Sequence, residues 1–173
     1  MIPELGQVAL ILALVTALIQ SVFPIIGAHQ GNNAWMAVAV PAARAQLAFL
    51  AISYACLTAV FITHDFSVLY AAQHSNSQLP LMYRISGVWG GHEGSLLLWV
   101  LMLGLWGGAV TLYNRRLPQE MSARVIGVLG LVSVGFILFT LFTSNPFERL
   151  VPAPVDGRDL NSLLQDPGPA IHP

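Results

Sequence analysis

Four stretches of this chain run without a charged side chain: Leu5 to Ile26, Ala45 to Thr63, Ser95 to Tyr113 and Val125 to Phe142. Each is close to the roughly 20 apolar residues that a helix needs to cross the hydrocarbon of a bilayer. A segment in lipid must satisfy its own backbone hydrogen bonds, so a helix is predicted for each run. The expected fold class is all-α, a polytopic membrane helical bundle with four transmembrane helices, an ordered outward loop and an ordered tail. Residues 1–144 form the transmembrane region, with the outward loop at 64–94, and residues 145–173 form a separate polar segment.

Polar and small residues inside the runs predict how they pack. Gln20 and Ser21 lie deep enough in the first run to mark a face turned toward protein, and Pro24 sits where a kink is absorbed near the membrane surface. Gly104 and Gly108 form a small-xxx-small pair in the third run, and Gly127, Gly130 and Gly135 predict helix contacts in the fourth. Trp99 and Trp106, seven residues apart, share one face that turns to lipid or to a cofactor. So many contact signals in four spans point to a bundle larger than these four helices.

Between the second and third runs, the 64–94 connection is too long for a plain link. Its LPLMYRISGVW stretch places Leu81, Ile85 and Val88 on one helical face beside Trp89. That stripe predicts a short interfacial helix with Tyr83 and Trp89 at headgroup level. Gly90 and Gly91 then permit a tight turn into the third run. The tail from Thr143 is rich in proline and in turn signals at Asn145, Asp156 and Pro167. Leu160, Leu163, Leu164 and Ile171 would anchor it as an ordered segment.

Composition fits the pattern: 55% of the 173 residues are hydrophobic and 9% are charged, against roughly 25% charged in soluble domains. All seven basic side chains are arginine, balanced by eight acids, so no basic patch for nucleic acid exists. Cys56, the single cysteine, cannot form an internal disulfide and reads as a small buried apolar residue. The first seven residues lack a basic stretch, so a retained first span is expected rather than a cleaved leader.

Arg115, Arg116 and Arg124 cluster in the link between the third and fourth runs, and Arg44 joins their side from the first link. The positive-inside rule makes that side cytoplasmic. Both chain ends and the 64–94 loop then face outward, into a periplasm if the source is a diderm bacterium.

The polar residues carry two readings. His92 and Glu93 open the third helix, where an acid favours the positive helix end, or else they form an outward docking or proton-handling site. His64 and Asp65 read as a solvated surface pair, and His29 and His74 as loop histidines. His172, held between Ile171 and Pro173, is either a loop histidine or a ligand for metal or haem iron. No zinc spacing, phosphate loop, CxxC or catalytic triad is present, so no catalytic residue is assigned.

The segments SNSQLPLMYRISGVWGGHEGSLLLW, RRLPQEMSARVIGVLG and FTSNPFERLVPAPVDGRDLNSLLQDPGPAIHP resemble the N-terminal part of the CcmF family, the membrane haem lyase subunit of bacterial cytochrome c maturation. The resemblance covers essentially the whole chain. It implies a protein that takes haem from a periplasmic haem chaperone and attaches it to the CxxCH cysteines of an apocytochrome c. CcmH-type and thioredoxin-like partners present the apoprotein. It also implies that His172, in AIHP, is an axial haem ligand, and that Trp89, His92 and Glu93 form part of a partner-docking surface.

The family's tryptophan-rich loop, its second outward histidine and its membrane haem histidines are absent from this chain. Pro169 also stands where an aliphatic residue is expected. The chain alone is therefore expected to be inactive. Two alternatives stay open: the related lyase subunit of nitrite reductase maturation, and a membrane scaffold or proton-conducting subunit in which His92 and Glu93 carry protons and His172 is inert.

Overall fold

A computed structural model describes residues 1–113 and 117–158. Seven helices follow in order: α1 Ile2–Gln30, α2 Asn33–Ala37, α3 Ala39–Ile62, α4 Leu69–His74, α5 Leu81–Gly87, α6 His92–Tyr113 and α7 Gln119–Phe142. Four of the hydrophobic segments, Ile2–Gln30, Asn33–Ile62, His92–Leu112 and Gln119–Phe142, are long and apolar enough to span a membrane. They cover the four runs read from the sequence except for Thr63 and Tyr113 at two run ends, and the fold is the expected helical bundle. Among the described residues the only β pairing is an isolated antiparallel bridge, Val68 with Arg149.

The helices outrun their apolar stretches because the flanking residues are also good helix formers or caps. Helix α1 continues through Pro24 for six more residues and stops at Gly31, whose left-handed φ of 67° lets its N–H reach the Gly27 carbonyl. Asn32 then caps α2, its side chain accepting from the Ala34 and Trp35 N–H groups. The first link is therefore short, and Arg44 lies inside α3 rather than in that link. Its Nε donates to Thr111 Oγ1 near the end of α6 at 3.2 Å.

Helix α1 packs in the crook between α3 and α7, and α6 packs on α3 and α7. Ala13 and Ala17 of α1 share the buried main core with Leu50, Leu57 and Val60 of α3. A Cβ on Gly130 would lie 3.0 Å from Gln20 Cγ and 3.1 Å from the Ser21 backbone N, so the missing side chain lets α7 approach α1 closely. There Gln20 Nε2 donates to the Ile126 carbonyl at 2.9 Å. Gly104 and Gly108 face Leu50 and Leu47 of α3, as their spacing predicts. Gly135 departs from prediction, with open space where its side chain would be.

Two ends of the bundle differ. The arginine face carries Arg44 and the start of α7. The opposite loop face carries the start of α1, residues 64–91 and residues 143–158. On the loop face the tail is ordered through Arg158. Leu69 N donates to Glu148 O at 2.9 Å, Leu150 N to Ser67 O at 2.8 Å, and Arg158 N to Ala72 O at 2.7 Å. Phe147 is buried in the main core beside α1.

Candidate functional site

The WGGHEG turn is built around a side chain that sequence reading passed over. Tyr70, on α4, is 2% exposed, and its hydroxyl donates to the Val88 carbonyl at 2.9 Å. The same oxygen accepts from the Gly91 N–H at 3.0 Å. One phenol thus supplies both the partner for a chain end leaving α5 and a partner for an N–H at the entry to α6. Burial, reinforced by the Glu93 charge, pushes the Tyr70 hydroxyl well above the ordinary tyrosine range, so it stays protonated and able to donate.

Gly91 and Gly94 are both pressed against this phenol. A Cβ at Gly91 would come within 2.7 Å of Tyr70 Cε2 and 2.8 Å of His74 Nε2, and one at Gly94 would overlap the Val88 carbonyl. His74 lies against Tyr70 with ring centroids 4.7 Å apart. Its Nδ1 is 3.1 Å from the Tyr70 carbonyl, which can only accept, so that nitrogen carries the proton. His74 is therefore part of the packing under the turn, not a loop histidine.

The turn sets out the predicted residues in different ways. His92 opens α6 and is exposed. Its Nδ1 pairs with Ser144 Oγ at 2.9 Å, and its ring meets the Phe139 edge at 6.0 Å. The imidazole is held between the start of α6 and the end of α7 while one edge faces outward. Glu93 occupies the first turn of α6, where a carboxylate favours the helix dipole. Trp89 packs half-buried against the main core, and its carbonyl accepts from Ser95 Oγ at 2.6 Å.

The predicted interfacial stripe also divides. Leu81 and Ile85 remain exposed on α5, but Val88 is fully buried, because the chain has left the helix and turned into the bundle. Tyr83 packs on Leu79.

His64 and Asp65 do not form the expected pair with each other. His64 has a left-handed φ of 56°, which separates the two side chains. Arg84 Nη1 donates to His64 Nε2 at 2.9 Å, and Phe66 stacks on the imidazole at 5.9 Å. Asp65 turns instead to Ser67 and Arg149. Arg149 Nε also donates to Glu4 Oε1 at 2.9 Å, so one guanidinium joins α1, the 64–91 connection and the tail. Farther along, Ser77 donates to Asp156 through its N–H at 3.0 Å and its Oγ at 2.7 Å. These two bonds hold the Asp156 carboxyl below its ordinary range.

The candidate haem ligand His172 lies outside the described residues. Among those residues no group of three His, Cys, Asp or Glu side chains is placed to hold a metal ion, and His92 has one ring nitrogen engaged with Ser144. The described residues through Arg158 form a platform tied to the 64–91 connection.

Comparison with known proteins agrees with this architecture. Residues 89–173 match the family profile described as cytochrome C assembly protein. The cytochrome c-type biogenesis protein CcmF of Pseudomonas aeruginosa is 58% identical over the whole chain, which spans 26% of that relative. That of Pseudomonas fluorescens is 56% identical over 99% of the chain, again 26% of the relative. In a solved structure of the cytochrome c heme lyase CcmF, 26% of that protein matches 88% of this chain with a TM-score of 0.79 at 23% identity, a likeness of fold. The chain spans about a quarter of the length of these relatives. Identity above one half from end to end, on the same bundle of apolar helices, places the chain in the CcmF family of cytochrome c-type biogenesis proteins.

Proposed function

We propose that this chain is the anchoring and docking part of a haem lyase subunit for cytochrome c maturation, with its loop face in the periplasm. The observation that carries the reading is the pinned tail. Segment 145–158 is fixed to α1 by Arg149 and to the 64–91 connection by backbone and Asp156 contacts. Residues 159–173, with His172, thus start from a defined point on the same face as His92 and Glu93. Arg44 and Arg124 at the opposite face support the orientation; Arg115 and Arg116 lie outside the described residues.

In this reading the subunit receives haem from a periplasmic haem chaperone and joins it to the CxxCH cysteines of an apocytochrome c. Haem supplies the vinyl groups that become thioethers. His172 would hold the iron as one axial ligand. The described residues do other work: Tyr70 fixes the WGGHEG turn, Ser144 orients the His92 ring, and His92 and Glu93 present a polar edge for the CcmH-type and thioredoxin-like partners. Trp89 supports that edge from below through its core packing.

His172→Ala, in the polypeptide at the full length of its relatives, is expected to lower co-purified haem and abolish cytochrome c maturation. Unchanged haem and normal maturation would remove His172 as a ligand. His92→Ala with Glu93→Gln is expected to weaken partner pull-down while haem content stays intact. Loss of haem with intact pull-down would reverse that assignment.

A further inference from the structure

A cavity of about 600 Å³ opens at the arginine end of the bundle, between Ala37, Val40 and Pro41 on one side and Gln119, Ser122 and Ala123 of α7 on the other. Gln119 Nε2 donates to the Asn33 carbonyl at 3.1 Å, which ties the start of α7 to α2 beside it. Two spans, Asn33–Ile62 and Gln119–Phe142, begin here. The cavity therefore lies at the level of lipid headgroups rather than of the hydrocarbon.

Its chemistry favours an anion. Helices α3 and α7, of 24 residues each, both start at its rim, and neither start has a side-chain cap. Ser122 N is the first amide of α7 with an acceptor in its own helix, the Pro118 carbonyl at 3.0 Å. The Gln119, Glu120 and Met121 N–H groups precede that ladder, and such helix starts carry partial positive charge. Glu120, the acid of this turn, pairs with Arg124 and lines a different groove.

A second, independent feature is Ser122 itself. It is 2% exposed, and its Oγ has no hydrogen-bond partner among the described residues. A hydroxyl buried without a partner destabilises a fold, and an anionic oxygen in the cavity would satisfy it. Arg44, one turn along α3 from Val40, adds positive charge, with its Nε engaged by Thr111.

The rest of the lining says which anion. Ala37, Val40, Pro41 and Ala123 are apolar, so free phosphate would lose water against hydrocarbon without compensation. A phospholipid meets both halves, with its phosphate at the helix starts and its glycerol and first methylenes on the apolar wall. No acid lines the cavity among the described residues to pair with an ammonium headgroup. We propose that this cavity binds the headgroup of an anionic phospholipid from the leaflet on the arginine face, held by the α3 and α7 starts and by Ser122 Oγ. The site lies at the opposite end of the bundle from His92 and Glu93 and does not rest on their reading.

The test uses the polypeptide at the full length of its relatives, in mild detergent. Its unfolding midpoint is followed as dioleoyl phosphatidylglycerol, dioleoyl phosphatidylcholine or inorganic phosphate is added, since a ligand of the folded form raises the midpoint with concentration. Phosphatidylglycerol is expected to act at lower concentration than phosphatidylcholine, and inorganic phosphate to have no effect. Ala37 is exposed, so Ala37→Glu puts a like charge at the cavity without disturbing the core. It should raise the phosphatidylglycerol concentration needed about fivefold, while Ala37→Gln matches wild type.

Ser122→Ala separates a ligand group from a structural one. It is expected to weaken the response to phosphatidylglycerol while the lipid-free midpoint stays at or above that of wild type, because an unpartnered hydroxyl has been removed. An equal response to the two lipids, or an undiminished response in Ala37→Glu, would overturn the proposal. Stabilisation by inorganic phosphate matching that by phosphatidylglycerol would assign the site to a free anion and overturn it as well. None of these readouts depends on haem content or cytochrome maturation.

Discussion

Inside the bundle, α1 and α7 meet through glycine and alanine, and Gln20 contributes a hydrogen bond to the Ile126 carbonyl. On the loop face, Arg149 alone reaches Glu4, Asp65 and Ser67. The difference follows from solvent. Lipid gives helices no hydrophobic reason to associate, so close fit decides the interior. At a watery surface polar pairs are individually weak, and many must cooperate to hold a tail in place. The bundle interior should therefore respond to volume, and the loop face to the loss of particular donors and acceptors.

The largest effect is expected from Gly130→Leu, which drives a side chain into Gln20 and the Ser21 backbone. Overpacking there should cost about 1–3 kcal/mol, read as a lower unfolding midpoint in mild detergent. Tyr70→Phe comes next, because it strips partners from the Val88 carbonyl and the Gly91 N–H. Leaving buried polar groups unpaired costs about 1–3 kcal/mol, and hydrogen exchange at the 88–95 turn should rise while the α1–α7 contact stays protected. An unchanged turn would show that the glycine pair, not the phenol, sets its shape.

Gln20→Leu keeps the volume nearly constant and removes the bond to Ile126, so a loss on the order of 1 kcal/mol is expected. A larger loss would mean that polar bonding, rather than fit, holds α1 to α7. Arg149→Ala should change the global midpoint by at most about 1 kcal/mol, yet speed hydrogen exchange of the Leu69 and Leu150 amides that tie the tail down.

The smallest effect concerns Asp156. Its carboxyl is held below the ordinary range by Ser77, so its contribution is complete above the unfolded-state pKa and disappears as pH falls through the folded value. Proteolysis near residue 156 should increase on acidification in wild type and be pH-insensitive in Asp156→Asn.

How much of this was readable in advance divides along the same line. The four spans were, because an uncharged run of about 20 residues leaves the backbone little choice but helix. Gly104 and Gly130 announced their contacts by spacing, while Gly135, marked in the same way, has open space where its side chain would be. The loop face was less readable. Arg149 meets Glu4 across 145 residues of sequence, and Ser144 meets His92 across 52, distances over which no local periodicity acts. His64 and Asp65 are neighbours that the left-handed backbone at His64 turns apart. Tyr70 carried one local clue, a histidine four residues on, but nothing marked its hydroxyl as the pin of a distant turn.

The central claim is that the loop face, with its pinned tail, lies outside the cytoplasm. The direct measurement is labelling of single cysteines by a membrane-impermeant maleimide in intact cells, on a Cys56→Ser background. Gln78→Cys, on the loop face, should label in intact cells, and Glu120→Cys, on the arginine face, only after the membrane is permeabilised. The reverse pattern would put residues 159–173 and His172 on the cytoplasmic side and contradict the account.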